Sequence, residues 1–263
     1  DNIDYFVVGK EILLDNCTVD CNIVGNEFIS ASDSCKVKDS NLTFTGAVNS
    51  IFEVIDELVI ENTDFEIEDA SLFAFADLVS IKDSNIHIID VGDFLSEVSE
   101  ATIETSDIKI DNGNPEGVGV FSAGSIDIIK SNLDVHSTVF CIHCGTLGID
   151  DSNVHLKSDS EAVILVMSDD MNSVNVKNAS LAETEYSLYN TIVEGNDILS
   201  YFDHEPEASY TFDDFNDGAQ ELHFIAASNP NTFDISVLYI IIGILSVIGI
   251  SIAKFDLDLL KNK

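Results

Sequence analysis

The side chains with the most chemical potential in this sequence are sulfur, imidazole and carboxylate groups. Cys141 and Cys144 are separated by Ile142 and His143, a spacing that can hold a soft metal ion. Tetrahedral zinc needs four convergent ligands, and no second cysteine pair follows. If residues 139–144 form a strand, Cys141 and His143 face one way and Cys144 the other. That predicts a buried Cys144 and a surface Cys141. Asp150-Asp151 and Asp169-Asp170 are adjacent carboxylate pairs, but neighbours on a strand point to opposite faces, so neither predicts an acid/base dyad. Asp111-Asn112-Gly113-Asn114 is oxygen-rich and suits a hard cation, yet it lacks a calcium-loop spacing, and a solvated turn is expected. No cofactor is therefore expected, with Ca²⁺ the one ion left open. Asn16, Asn41 and Asn178 each open an Asn-x-Ser/Thr sequon.

The composition narrows the partners. The 263 residues carry 48 acidic side chains against 11 lysines and no arginine, a net charge of −37. Such a field repels nucleic acid and anionic lipid. The chain is also 45% apolar, which argues for a packed core rather than disorder. Five cysteines at irregular spacing are no disulfide framework. Asp1 stands where an initiator Met would, so a processed or truncated N-terminus is expected.

Around these groups runs a repeat. One eight-residue pattern recurs: apolar, any, turn residue, small, polar, apolar, any, apolar. It occupies residues 14–21 (LDNCTVDC), 37–44 (VKDSNLTF), 60–67 (IENTDFEI) and 81–88 (IKDSNIHI). Four further copies lie at 103–110 (IETSDIKI), 128–135 (IIKSNLDV), 149–156 (IDDSNVHL) and 176–183 (VKNASLAE). Starts are 23, 23, 21, 22, 25, 21 and 27 residues apart. Each copy predicts strand, sharp corner, strand, because apolar residues alternate into the corner and out of it. Asp, Asn, Ser and Thr hydrogen-bond the local backbone at such corners, and Asn tolerates positive φ. The small fourth position is expected to turn inward. A third apolar run often fills the gap, as at 51–54, 72–75, 118–121, 139–142 and 162–166. Three strands per rung of about 23 residues is the pattern of a parallel β-helix.

Stacked rungs lie about 4.8 Å apart, so like charges at equivalent positions repel by roughly 0.9 kcal/mol in water. The second position reads Asp15, Lys38, Glu61, Lys82, Glu104, Ile129, Asp150, Lys177. The seventh reads Asp20, Thr43, Glu66, His87, Lys109, Asp134, His155, Ala182. Neither these positions nor the third and fifth place two carboxylates in adjacent rungs. His87 beside Glu66 and His155 beside Asp134 therefore predict outward cross-rung pairs. The first rung starts almost at Asp1 without a polar cap, so the solenoid is expected to continue upstream. Glu183 takes a final inward position, where the regular stack is expected to stop. For the acidic residues 184–228 a cap, a last imperfect rung and a stalk are all open.

Residues 235–253 hold no charge and at 1.5 Å per residue would span about 28 Å, close to the hydrocarbon thickness. A C-terminal transmembrane helix with a short inner tail, residues 254–263, is expected. Asn229, Pro230, Asn231, Thr232 and Phe233 stand directly before it. This Asn-Pro-x-Thr element, apolar span and lysine-bearing tail resemble a sorting signal of Gram-positive bacteria. The resemblance implies a sortase as partner, with Thr232 as the acyl position and Phe233 opening the discarded tail.

The rungs, most closely residues 141–154 (CIHCGTLGIDDSNV), resemble right-handed β-helix repeats of Gram-positive surface proteins, some of them carbohydrate-binding. That resemblance implies an all-β, right-handed parallel β-helix of eight rungs over residues 1–183. It also implies a non-catalytic cell-surface protein mediating adhesion or glycan binding, with an extracellular glycan or a neighbouring cell's surface ligand as partner. A polysaccharide lyase or hydrolase and a passive spacer are the alternatives. The missing arginine and Gly-His-Gly elements of β-helix lyases and polygalacturonases weigh against the enzyme. The charge ladder is directly testable. Lys82→Glu makes three successive carboxylates with Glu61 and Glu104, and is expected to lower the thermal midpoint most at low salt. A salt-independent midpoint would refute the rung alignment.

Overall fold

A computed structural model describes residues 5–22, 25–115, 119–138, 140–159, 164–166, 174–181, 191–194, 197–200 and 220–227. The chain separates into Asp1–Pro230 and Asn231–Lys263, and every described residue falls in the first unit. The fold is all-β, and 17 strands form one hydrogen-bonded sheet. In chain order they are β1 (Tyr5–Asp15), β2 (Thr18–Cys21), β3 (Gly25–Lys38), β4 (Asn41–Val54), β5 (Glu57–Glu61) and β6 (Asp64–Phe75). Then come β7 (Leu78–Lys82), β8 (Asn85–Glu104), β9 (Asp107–Gly113), β10 (Gly119–Ile129), β11 (Asn132–Ser137), β12 (Phe140–Asp150) and β13 (Asn153–Ser158). After β14 (Ile164–Val166), β15 (Val174–Lys177) and β16 (Ala179–Leu181), β17 (Thr191–Glu194) and β18 (Asp197–Ser200) form a separate antiparallel pair. β19 (Gln220–Ala226) returns to the main sheet.

The register is the one the repeat predicts. Motif starts pair in parallel through all seven interfaces, from Leu14 on Val37 to Ile149 on Val176. A third face stacks Val7, Ile29, Phe52, Ala74, Leu95, Phe121, Ile142 and Ile164. The result is a β-solenoid of about seven turns. Its interior is apolar apart from the buried corner hydroxyls, and each fully buried Ile, Leu or Phe contributes about 1.5–3 kcal/mol of transfer free energy. Aromatic rings reinforce the stack: Phe73 lies on Phe94 at 4.5 Å, and Phe52, Phe65 and Phe73 meet edge to face.

The corner explains the motif. Its third residue has φ between 48° and 53° in all eight copies: Asn16, Asp39, Asn62, Asp83, Thr105, Lys130, Asp151 and Asn178. The fourth turns inward, as expected, and from Ser40 to Ala179 it is buried. There the hydroxyl does two things at once. Ser84 N–H donates to Ser106 Oγ at 3.2 Å, while that Oγ donates to the Glu104 carbonyl at 2.8 Å. The same arrangement carries Thr63 onto Ser84, Ser106 onto Ser131 and Ser131 onto Ser152. Ala179, without a hydroxyl, ends the ladder. Where the chain leaves the third face, a Cβ on Gly124 or Gly145 would come within 2.6 Å of a carbonyl oxygen in the preceding rung.

The expected eighth rung is only half formed. β15 continues the parallel stack on β12, but β16 does not reach β13. β19 lies between them, antiparallel to both, with Phe224 opposite Val154 on one side and Leu181 on the other. The cause is legible in the eighth copy, which would set Glu183 over Leu156; β19 sets Leu222 there instead. Residues 220–226 of the acidic C-terminal segment thus belong to the solenoid's last interface.

The hydroxyl ladder predicts a specific defect. Ser106→Ala deprives the buried Ser84 N–H of its acceptor and is expected to cost about 1–3 kcal/mol in urea unfolding. An unchanged unfolding midpoint would mean the hydroxyl is not needed there.

Candidate functional site

Four of the five cysteines are buried. Cys141 is fully buried, which corrects the expected surface position. Strict alternation fails because each rung bends here with two successive inward residues, as at Ile51–Phe52, Phe73–Ala74 and Phe94–Leu95. Cys141 holds this bend and donates through Sγ to the Lys157 carbonyl at 3.2 Å. Burial pushes the thiols of Cys35, Cys141 and Cys144 up to about 12. Among the described residues no three His, Cys, Asp or Glu side chains converge to hold a metal. Asp111-Asn112-Gly113 lies in β9 rather than in a turn. Asp111 accepts from Lys109 and His87, and Asn112 donates to Asp90.

The outer faces of the two motif arms are stitched rung to rung. Lys82 pairs with Glu104 at 3.0 Å, and Asn62 and Asn85 donate to Asp39 and Asp64. Glu61 is met by Lys36, while Lys38 leans on Asp39. His87 bridges Glu66 and Asp111, and His155 bridges Asp134 and Glu221, so each imidazole gains a second carboxylate that the repeat alone did not reveal. Partial burial opposes the charge on His155, but the hydrogen bonds it donates to Glu221 and Asp134 outweigh it and raise its pKa.

The third face is built differently. Parallel pairing sets Ser30, Glu53, Phe75 and Ser96 side by side on its outer surface, at about 4.8 Å per step. Phe75 is 38% exposed. Next to Ser96 the register shifts against β10, and Glu97 takes φ 56°, a conformation that strains a non-glycine residue. Beyond the shift, Ser122 stands beside His143, with Oγ and Nδ1 3.4 Å apart. Burial lowers the His143 pKa, which favours the neutral imidazole. Glu27 pairs with Ser50 in the next rung and lies near enough to Glu53 to feel its charge. Burial and then the Glu53 charge hold the Glu27 carboxyl above the usual range.

These residues escaped the sequence reading because the third runs were treated as apolar filler. Aligning Glu53 and Phe75 between the inward Phe52/Val54 and Ala74/Ala76 was the available signal. The expected sorting residues Asn229, Pro230, Asn231, Thr232 and Phe233, and the apolar residues 235–253, lie outside the described residues. Among the described residues no helix is long and apolar enough to cross a membrane. Comparison with protein-family models, with curated proteins and with solved structures gives no match for this chain.

The cysteines generate an alkaline signature. Their folded values near 12 stand above the ordinary 9.0, so their contribution is fully present below pH 9 and is lost as pH rises toward 12. Between pH 9 and 10 each should cost about 1 kcal/mol of stability. Urea titrations across that interval should show a decline that Cys35→Ala, Cys141→Ala and Cys144→Ala together flatten. An equal slope in the triple variant would contradict the burial assignment.

Proposed function

We propose that this chain is a non-catalytic, glycan-binding adhesion protein whose third solenoid face receives the sugar. The observation that carries the reading is half-exposed Phe75, set in a row of hydroxyl and carboxyl groups on a flat sheet surface. A sugar ring has an apolar CH face that packs on an aromatic ring, and hydroxyls that donate to carboxylates and serines. The arm faces offer less, since their outer side chains already bond one another. The charge of −37 favours neutral or cationic polymers over anionic ones. In this reading the apolar residues 235–253 hold the solenoid at a cell envelope, and the Asn229–Phe233 element offers a sortase its substrate.

The test is a glycan array and polysaccharide pull-down with the wild-type chain and Phe75→Ala. Binding without cleavage is expected, and Phe75→Ala should weaken it at least tenfold with little change in stability. Steady depolymerisation of the bound polymer would sink the non-catalytic reading. Undiminished binding by Phe75→Ala would move the site off this face.

A further inference from the structure

At one edge of the Phe75 row two acceptor atoms are left without a donor. Glu27 Oε2 and Ser50 Oγ are both shielded from solvent, and neither has a hydrogen-bond partner. Ser50 is only 3% exposed, so its hydroxyl has no recourse to bulk water. An unsatisfied buried polar group costs about 1–3 kcal/mol, and a chain that keeps two of them side by side forgoes stability there. Packing does not require a hydroxyl at this place, because the adjacent position in the next rung is Leu72.

The two atoms belong to one constellation. Glu27 and Ser50 are direct cross-rung partners, so their side chains leave the sheet on the same side. Glu53 follows on the same strand as Ser50, close enough to Glu27 for the two charges to act on each other. Two carboxylates this close repel one another, and a bound cation relieves that repulsion. Phe75 stands in the rung beyond Glu53, on the same surface.

We infer that Glu27, Ser50 and Glu53 form a seat for a primary ammonium group, the amine of a hexosamine unit in the bound glycan. An ammonium carries three N–H donors and no acceptor. It therefore matches two carboxylate oxygens and a hydroxyl oxygen. Its charge answers the repulsion between the two glutamates. The sugar ring bearing the amine then lies toward the Phe75 ring. A neutral N-acetyl group offers one N–H and a carbonyl oxygen, and that oxygen would face carboxylates. The inference rests on the glycan reading above and specifies which class of sugar it concerns.

The test uses the full chain and two probes of equal length, a β-1,4-linked glucosamine tetramer and its fully N-acetylated counterpart, in titration calorimetry at fixed ionic strength. The amine form is expected to bind at least tenfold more tightly. Ser50→Ala and Glu27→Gln should each weaken the amine form several-fold and leave the acetylated form unchanged. Glu68→Gln, an exposed carboxylate elsewhere on β6, should change neither. Ser50→Ala should also keep or raise the thermal midpoint, since it removes a hydroxyl that bonds nothing in the free protein. Equal or tighter binding of the acetylated tetramer overturns the ammonium seat while leaving glycan binding in place. Amine binding that falls equally in Glu68→Gln, or in none of the variants, assigns it to diffuse charge and also overturns the seat. If neither tetramer binds while the array shows another glycan bound through Phe75, the seat falls alone. If the array shows no glycan bound, both readings fall.

Discussion

Each rung of this solenoid turns its corner by placing one residue in the left-handed backbone region, and the rest of the architecture depends on that turn. Eight residues within a few degrees of φ 50° set the direction in which the next strand departs. The following hydroxyl then ties the bend to the rung above and to its own strand. Asn and Asp meet the backbone requirement at low cost. Thr105 and Lys130 do so at a penalty of about 1–2 kcal/mol, and hold because the rungs on either side bond the same peptide groups. Thr105 N–H donates to the Ile129 carbonyl, and Lys130 N–H to that of Asp150. A local conformational preference is thus copied along the stack.

This copying made the fold legible. The motif fixes two of the three strands in every rung, and its spacing alone yields the pairing of Leu42 with Phe65 and of Ile81 with Ile103. The third face was less visible. Phe94 and Leu95 sit between Asp93 and Ser96, too short an apolar run to stand out, yet they continue the column from Ala74 to Phe121. Inward doublets at the bend break the period of two, which is why Cys141 was expected outside. The insertion of β19 could not be read from the repeat at all, because its strand runs the other way and arrives from more than sixty residues downstream of β13.

The electrostatic order follows the same division. Within the motif, carboxylates are interleaved with lysine, asparagine and histidine, so that most of them accept a bond from a neighbouring rung. Outside it the rule relaxes. Asp69 stacks directly on Asp90, and Asp56 lies against Asp33 of the neighbouring rung, its N–H donating to the Asp33 carbonyl. Glu27 and Glu53 lie close to one another beside the exposed Phe75. The positions that the repeat leaves unconstrained are therefore those where charge is not neutralised by the ladder, and the candidate site lies among them.

β19 has a consequence for association. A parallel stack ends in a strand edge that templates another strand of the same direction, which is how solenoids and fibrils elongate. Here the outgoing arm of the last full rung is covered by a strand of opposite direction, and among the described residues the short β16 pairs on its other side. Along that arm the inserted strand interrupts the parallel template, much as a reversed tile halts a tiling. The described residues, mostly β-strand, thereby carry along this arm an interruption of their own parallel order.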